Sequence, residues 1–114
     1  MDAPGMKTAS AKNKGRTLQK WVRDILTNTL GLASDEISSR SSGAGGEDLL
    51  MSTTARERFP MSVECKNQER VNVWEAYAQA GANADQWEPL LIIKRNHHKP
   101  LAVVDAEYFI GLFK

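Results

Sequence analysis

Asp48, Glu64 and Lys66 are the residues of this chain whose types and spacing best suit chemistry. They lie in one stretch, Gly43 to Glu69, which holds two short apolar runs, Leu49-Leu50-Met51 and Pro60 to Cys65. Both runs read as strands, and the polar residues between them are enough for a hairpin loop. Asp48 stands at the mouth of the first. On the second, alternation puts Glu64 and Lys66 on one face and Val63 and Cys65 on the other. If the two strands are neighbours, Asp48 comes within a few ångströms of Glu64, and two carboxylates and an ammonium share one patch. Carboxylates that close repel unless a cation sits between them, and a hard divalent ion such as Mg²⁺ suits oxygen donors. The competing reading makes Asp48 the end of a turn and Glu-x-Lys a solvated cross-strand charge pattern.

The elements that must position these residues follow from periodicity. Met1 to about Asn13 is rich in Ala, Lys and Ser and reads as a disordered basic arm. From Thr17 the spacing changes: Leu18, Trp21, Val22, Ile25 and Leu26 recur as on one face of a helix, which Gly31 ends. A turn and an extended segment reach Arg40, and Ser41-Ser42-Gly43-Ala44-Gly45-Gly46 follows as a small-residue loop without the lysine of a nucleotide-binding P-loop. Asn72 with Glu75 forms a capping box for a second helix, whose apolar face is Val73, Trp74, Tyr77 and Ala80. The alanines from Ala76 to Ala84 allow close packing, for instance against another subunit. Pro89 to Lys94 is a strand whose continuous apolar run, Leu90 to Ile93, suits cover on both faces, Asn96 to Lys99 a hairpin turn, and Leu101 to Val104 its return strand. Asp105 caps a short last helix bearing Tyr108, Phe109, Leu112 and Phe113. His97 and His98 have no partners at zinc spacing and read as exposed turn residues.

Length and composition bound the rest. With 114 residues, 41% hydrophobic and 25% charged, the chain is one ordinary globular domain. No apolar run is long enough to cross a bilayer, the polar N-terminus is not a signal peptide, and a lone cysteine, Cys65, fits a reducing cytoplasm. Cys65 is expected as a small buried hydrophobe, not a nucleophile. The net charge of +1 hides an asymmetry: residues 1–23 hold six basic residues against Asp2 alone, a net +5, and the remainder is −4. A basic arm on a mildly acidic body suits a polyanion, because phosphate contacts release counterions; it equally suits a solubilising tail.

With Gly15-Arg16 leading into the first helix, Arg40-Ser41-Ser42-Gly43 before the acid, Gly46-Glu47-Asp48-Leu49-Leu50, and Val63-Glu64-Cys65-Lys66, the chain resembles the PD-(D/E)xK nuclease superfamily. Within it, the chain looks most like the small Holliday junction resolvases of archaea and phages, from about Lys14 to Val104. The resemblance implies an α/β fold with a restriction-endonuclease-like core, a mixed central β-sheet of about five strands flanked by α-helices, over residues 14–114. It implies that Asp48, Glu64 and the backbone carbonyl of Cys65 bind Mg²⁺, with Mn²⁺ as a substitute, and that Lys66 positions or polarises the attacking water. By the same analogy Ser41 or Ser42 meets a phosphate, and Gln68 extends the site.

Two positions depart from the pattern. Glu47 replaces the family proline, and Gln19 stands where many of these resolvases place a metal-facing glutamate, so Gln19 and Glu47 are accessory candidates. The expected function is a metal-dependent, structure-selective DNA endonuclease, a Holliday junction resolvase acting as a homodimer in the cytoplasm of a prokaryotic, archaeal or phage-infected cell. Lys14, Arg16, Arg40, Arg56 and Arg58 join Ser41 and Ser42 as DNA-binding candidates. The alternatives are another nuclease of the superfamily (nicking, repair or restriction type) and a non-catalytic DNA-binding module.

Overall fold

The computed structural model describes residues 4–40 and 46–114, residues 4–9 as backbone only. Leu18 and Val22, one turn apart and both buried, anchor the first helix, α1 (Pro4–Leu30), with Leu26 packed beside them. Thr27, on another face near the end of α1, is also buried, its hydroxyl donating to the carbonyl of Arg23 at 3.0 Å. Trp21 and Ile25, expected on this stripe, stand at its margin and are 44% and 43% exposed. At the N-terminus, the described part of the expected arm, Pro4 to Asn13, forms the first turns of α1, and residues 1–3 of it lie outside the described residues. Alanine and lysine favour helix, proline fits the first turn, and a helix nucleated by packed residues extends at one hydrogen bond per residue. At the other end Gly31 adopts φ 65°, and the N–H of Leu32 bonds the carbonyl of Thr27 at 2.9 Å, which closes α1 with a Schellman turn.

Strands β1 (Ile37–Ser39) and β2 (Leu49–Met51) pair antiparallel, with Ile37 opposite Met51. The expected hairpin from β2 onward is instead a helix, α2 (Thr53–Arg58). Ser52 caps it by accepting the N–H of Ala55 at 3.1 Å, and Pro60 prevents its continuation. Local capping chemistry here outweighed the strand–loop–strand pattern.

β3 (Met61–Asn67) runs parallel to β4 (Glu88–Lys94), with Val63 opposite Leu90, and β4 pairs antiparallel with β5 (Leu101–Val103). The crossover between β3 and β4 is α3 (Val73–Ala82), opened by the expected box: Asn72 Oδ1 accepts from Glu75 N at 3.1 Å. Ala76, Ala80 and Ala84 are buried, and α3 packs on β4, so these alanines serve this chain's own interior and not a free face. Trp74, assigned to the apolar face, is 86% exposed. It falls off the 76–80–84 stripe, and the small alanines seat the helix against the sheet without it. The last helix, α4 (Ala106–Gly111), is capped as expected, Asp105 Oδ1 accepting the Tyr108 N–H at 2.9 Å.

The fold is therefore α/β: a mixed three-stranded sheet, a two-stranded sheet and four helices among the described residues. Met61, Val63 and Cys65 join Leu18, Val22, Ile37, Leu49, Leu90 and Ile92 in one core. The residues between them on β3 face the other way, toward α3. No helix among the described residues is long and apolar enough to cross a membrane.

Candidate active site

Asp48 is fixed by its backbone before its side chain is considered. Its N–H donates to the carbonyl of Val63 at 2.9 Å, and its own carbonyl accepts the N–H of Arg40 at 2.8 Å. The two-stranded sheet is thereby hooked to β3 at one residue. The carboxylate then turns along β3, where Oδ2 accepts the N–H of Cys65 at 2.7 Å. In a strand the N–H and C=O of one residue point to the same edge. The Cys65 carbonyl therefore opens on the edge that Asp48 occupies. Val63 and Cys65 pack into the core and Glu64 faces away from it, as alternation requires.

The electrostatics show two carboxylates held against their preference. Burial raises the pKa of Asp48 above the ordinary carboxylate range, opposed by the Cys65 N–H, the charges of Lys66 and Arg40, and a hydrogen bond from Gln19. Burial also raises Glu64, and the neighbouring charge of Asp48 raises it further. Against this act a 3.5 Å hydrogen bond from Asn83 Nδ2 and the charge of Lys66. The charge of Lys66 thus acts on both carboxylates, and its side chain lines a cavity of about 240 Å³ with Gln68, Asn72, Glu75 and Gln79. The Cys65 thiol is buried, and burial pushes its pKa far above the normal thiol range, so it is no nucleophile at neutral pH.

The accessory candidates separate. Gln19 does stand at the Asp48 carboxylate. Glu47 does not join it: Oε1 accepts from Arg56, and Oε2 lies 3.3 Å from the Ser62 hydroxyl. Arg56 also donates to the Met61 carbonyl at 2.9 Å and lies 4.9 Å from the centre of the Trp87 ring. Its side chain and that of Glu47 are 11% and 12% exposed, so Arg56 is corrected from a phosphate contact to an internal tie. Arg58 donates to the Leu30 carbonyl at the end of α1.

Arg40 bonds the Glu47 carbonyl through Nε at 2.6 Å, and its guanidinium lies over Gly46, where a Cβ would come within 3.2 Å of it. Gly46, at φ 92°, is therefore glycine for both space and backbone. Lys14 is tied to the end of β3, its carbonyl accepting from Asn67 Nδ2 at 2.9 Å, and Arg16 is exposed one half-turn on. Ser41 and Ser42 lie outside the described residues. Asn83, the C-cap of α3, is the neighbour that sequence reasoning missed. Only its place after an alanine-rich helix marked it.

No three His, Cys, Asp or Glu side chains gather around one point among the described residues. The donors present are two carboxylates, a backbone carbonyl and the Gln19 amide, all hard oxygens. Magnesium keeps several waters and commonly takes only one or two protein carboxylates, so this set fits it. Compared with protein-family models, curated proteins and solved structures, the chain matches none.

Proposed function

We propose that this chain is a metal-dependent DNA endonuclease of the PD-(D/E)xK type, with a restriction-endonuclease-like core, and that its substrate is the four-way DNA junction. The observation that carries the reading is the Asp48 carboxylate bonded to the backbone of Cys65, between Glu64 and Lys66 in sequence and electrostatically coupled to both. Asp48, Glu64 and the Cys65 carbonyl would hold Mg²⁺, with Mn²⁺ as a substitute. Such an ion supplies charge neutralisation at the phosphorus and a water of lowered pKa.

The chain's own residues do the remainder. Lys66 donates to the attacking water and stabilises negative charge as it develops. Arg40, already beside Asp48, offers a guanidinium to a non-bridging phosphate oxygen. Gln19 orients the Asp48 carboxylate through its amide. A junction has two strands to cut, so the active species in this reading is a homodimer with two sites. Cytoplasmic DNA is the expected target.

Cleavage of a labelled four-way junction beside a linear duplex of the same arms, with Mg²⁺ or EDTA, tests this. Paired symmetric nicks in the junction alone, lost in EDTA and in Lys66→Ala, support the resolvase; equal cutting of both substrates keeps a nuclease of another type. One observation favours a second reading. Gln19 is neutral where a glutamate would add charge, and a weakly metal-binding relative that binds DNA without cutting it would retain affinity in Asp48→Asn and yield no product with Mg²⁺ or Mn²⁺.

A further inference from the structure

The cavity at Lys66 does not end there. It shares Gln68 and Val71 with a second cavity of about 260 Å³, whose far wall is the β4–β5 hairpin with Lys94, Arg95, His98 and Lys99. The hairpin wall is built, not loose. The turn closes with the His98 N–H on the Arg95 carbonyl at 3.2 Å. Lys94 Nζ ties it from below, donating to the carbonyls of Arg95 at 3.1 Å and His98 at 2.9 Å.

His98 Nδ1 lies 2.9 Å from the Asn96 carbonyl, which can only accept, so that nitrogen carries the hydrogen. Nε2 then faces Arg95 Nη2 at 3.3 Å. Glu69, the acidic residue of this wall, is turned to the hairpin backbone, its Oε2 accepting the Asn96 N–H at 2.7 Å. Three cations, Lys94, Arg95 and Lys99, thus line a groove with one carboxylate already engaged, and Val71, Ile93 and Leu101 supply an apolar floor.

We propose that this groove is a binding site for the sugar–phosphate backbone of the DNA strand as it leaves the cleavage position, with Arg95 and Lys99 as phosphate contacts and Lys94 and His98 as positioning residues. The proposal rests on the nuclease reading for the identity of the polyanion. The continuous lining from Lys66 through Gln68 and Val71 to Arg95 gives the path. Contacts of this kind fix register on the nucleic acid without reading its sequence.

Anisotropy of a fluorescent duplex and a fluorescent junction in EDTA, over a range of salt, reads binding without cleavage. Arg95→Ala/Lys99→Ala is expected to bind at least about tenfold more weakly, with a salt slope shallower by about two, since each lost phosphate contact removes roughly 0.9 from the slope. Arg95→Lys/Lys99→Arg, which preserves both charges, is expected to restore most of the affinity, and melting curves check that each variant folds. Unchanged affinity and slope in the alanine pair would overturn the groove alone. So would an equal fall in Lys114→Ala, which removes a charge far from the groove in sequence. Groove-dependent binding by a protein that never cuts would sink the nuclease and keep the groove; absence of DNA binding by the unmutated chain would overturn both.

Discussion

Asp48 Oδ2 accepts the backbone N–H of Cys65 at 2.7 Å, so the acid that opens β2 is seated on the residue that separates Glu64 from Lys66. This one bond does two things. It satisfies a buried strand donor that has no strand partner on that edge, and it sets the distance between the carboxylates independently of any ion.

The bond makes Asp48→Asn and Asp48→Ala differ in stability while agreeing in activity. Asparagine retains an oxygen acceptor for Cys65 and removes a buried charge, so the fold is as stable as the parent or more so. Alanine leaves the Cys65 N–H unsatisfied and costs about 1–3 kcal/mol. On the nuclease reading proposed above, both variants are expected to lose cleavage. Urea unfolding of the three proteins, with the cleavage assay alongside, checks the split; equal destabilisation by both substitutions would show that the Cys65 bond is not what Asp48 contributes.

Burial raises both Asp48 and Glu64, and this fixes the sign of the pH dependence. A carboxyl whose pKa is raised on folding binds its proton more tightly in the folded chain than in the unfolded one. Stability therefore falls as pH climbs from the ordinary carboxylate values through the raised ones, and the loss persists at neutral pH. Asp48→Asn/Glu64→Gln is expected to melt higher than the parent at pH 7 and to lose that advantage in acid. If the pair holds Mg²⁺ as proposed, the ion is expected to raise the melting temperature of the parent at pH 7, with no effect on the double variant, because it would bind the ionised pair and only in the folded state. Thermal melts from pH 4 to 8, with Mg²⁺ and with EDTA, read all three effects. A parent that gains stability steadily toward neutral pH without metal would contradict the buried-carboxylate account.

Glu47 and Arg56 form an ion pair in which both side chains are about nine-tenths buried. Removing one partner strands the other charge. Arg56→Ala is expected to cost roughly 3–5 kcal/mol, with the loss of its contact over Trp87 included, whereas Arg56→Met/Glu47→Gln recovers most of it. Were Arg56 a phosphate contact instead, Arg56→Ala would leave the urea midpoint in place and weaken DNA binding.

What the sequence revealed and what it concealed divide along a physical line. Alternation on β3 and the position of Asp48 at a strand mouth are local properties, and both carried through to the site: Val63 and Cys65 are core, Glu64 faces away, and Asp48 reaches β3. The caps at Asn72 and Asp105 were legible for the same reason. The roles of Glu47 and Arg56 were not, because a buried ion pair nine residues apart in sequence looks like two surface charges until α2 forms and brings Arg56 back beside Glu47. The helix α2 itself was hidden by a six-residue span too short to show a period. Trp74 was misplaced because helical spacing admits two neighbouring stripes, and the alanines of α3, not its aromatics, set the distance to the sheet.

His97 occupies the third position of the Arg95–His98 turn with φ 64°, a left-handed conformation that suits glycine or asparagine and that costs a residue with a Cβ about 1–2 kcal/mol. Asn96-His97 thus makes a tight turn without the residue that the turn favours. His97→Gly removes the Cβ clash but gives the unfolded chain more freedom, so the net gain is expected at about 0.5–1 kcal/mol. His97→Val, β-branched in the same conformation, is expected to lose more than 1 kcal/mol. Because the glycine variant keeps the Lys94 and His98 bonds that shape the hairpin, its DNA affinity should match the parent while its urea midpoint rises. A stabilised hairpin that bound DNA more weakly would mean that the imidazole of His97 itself meets the backbone, and would move the contact from the groove wall to the tip of the turn.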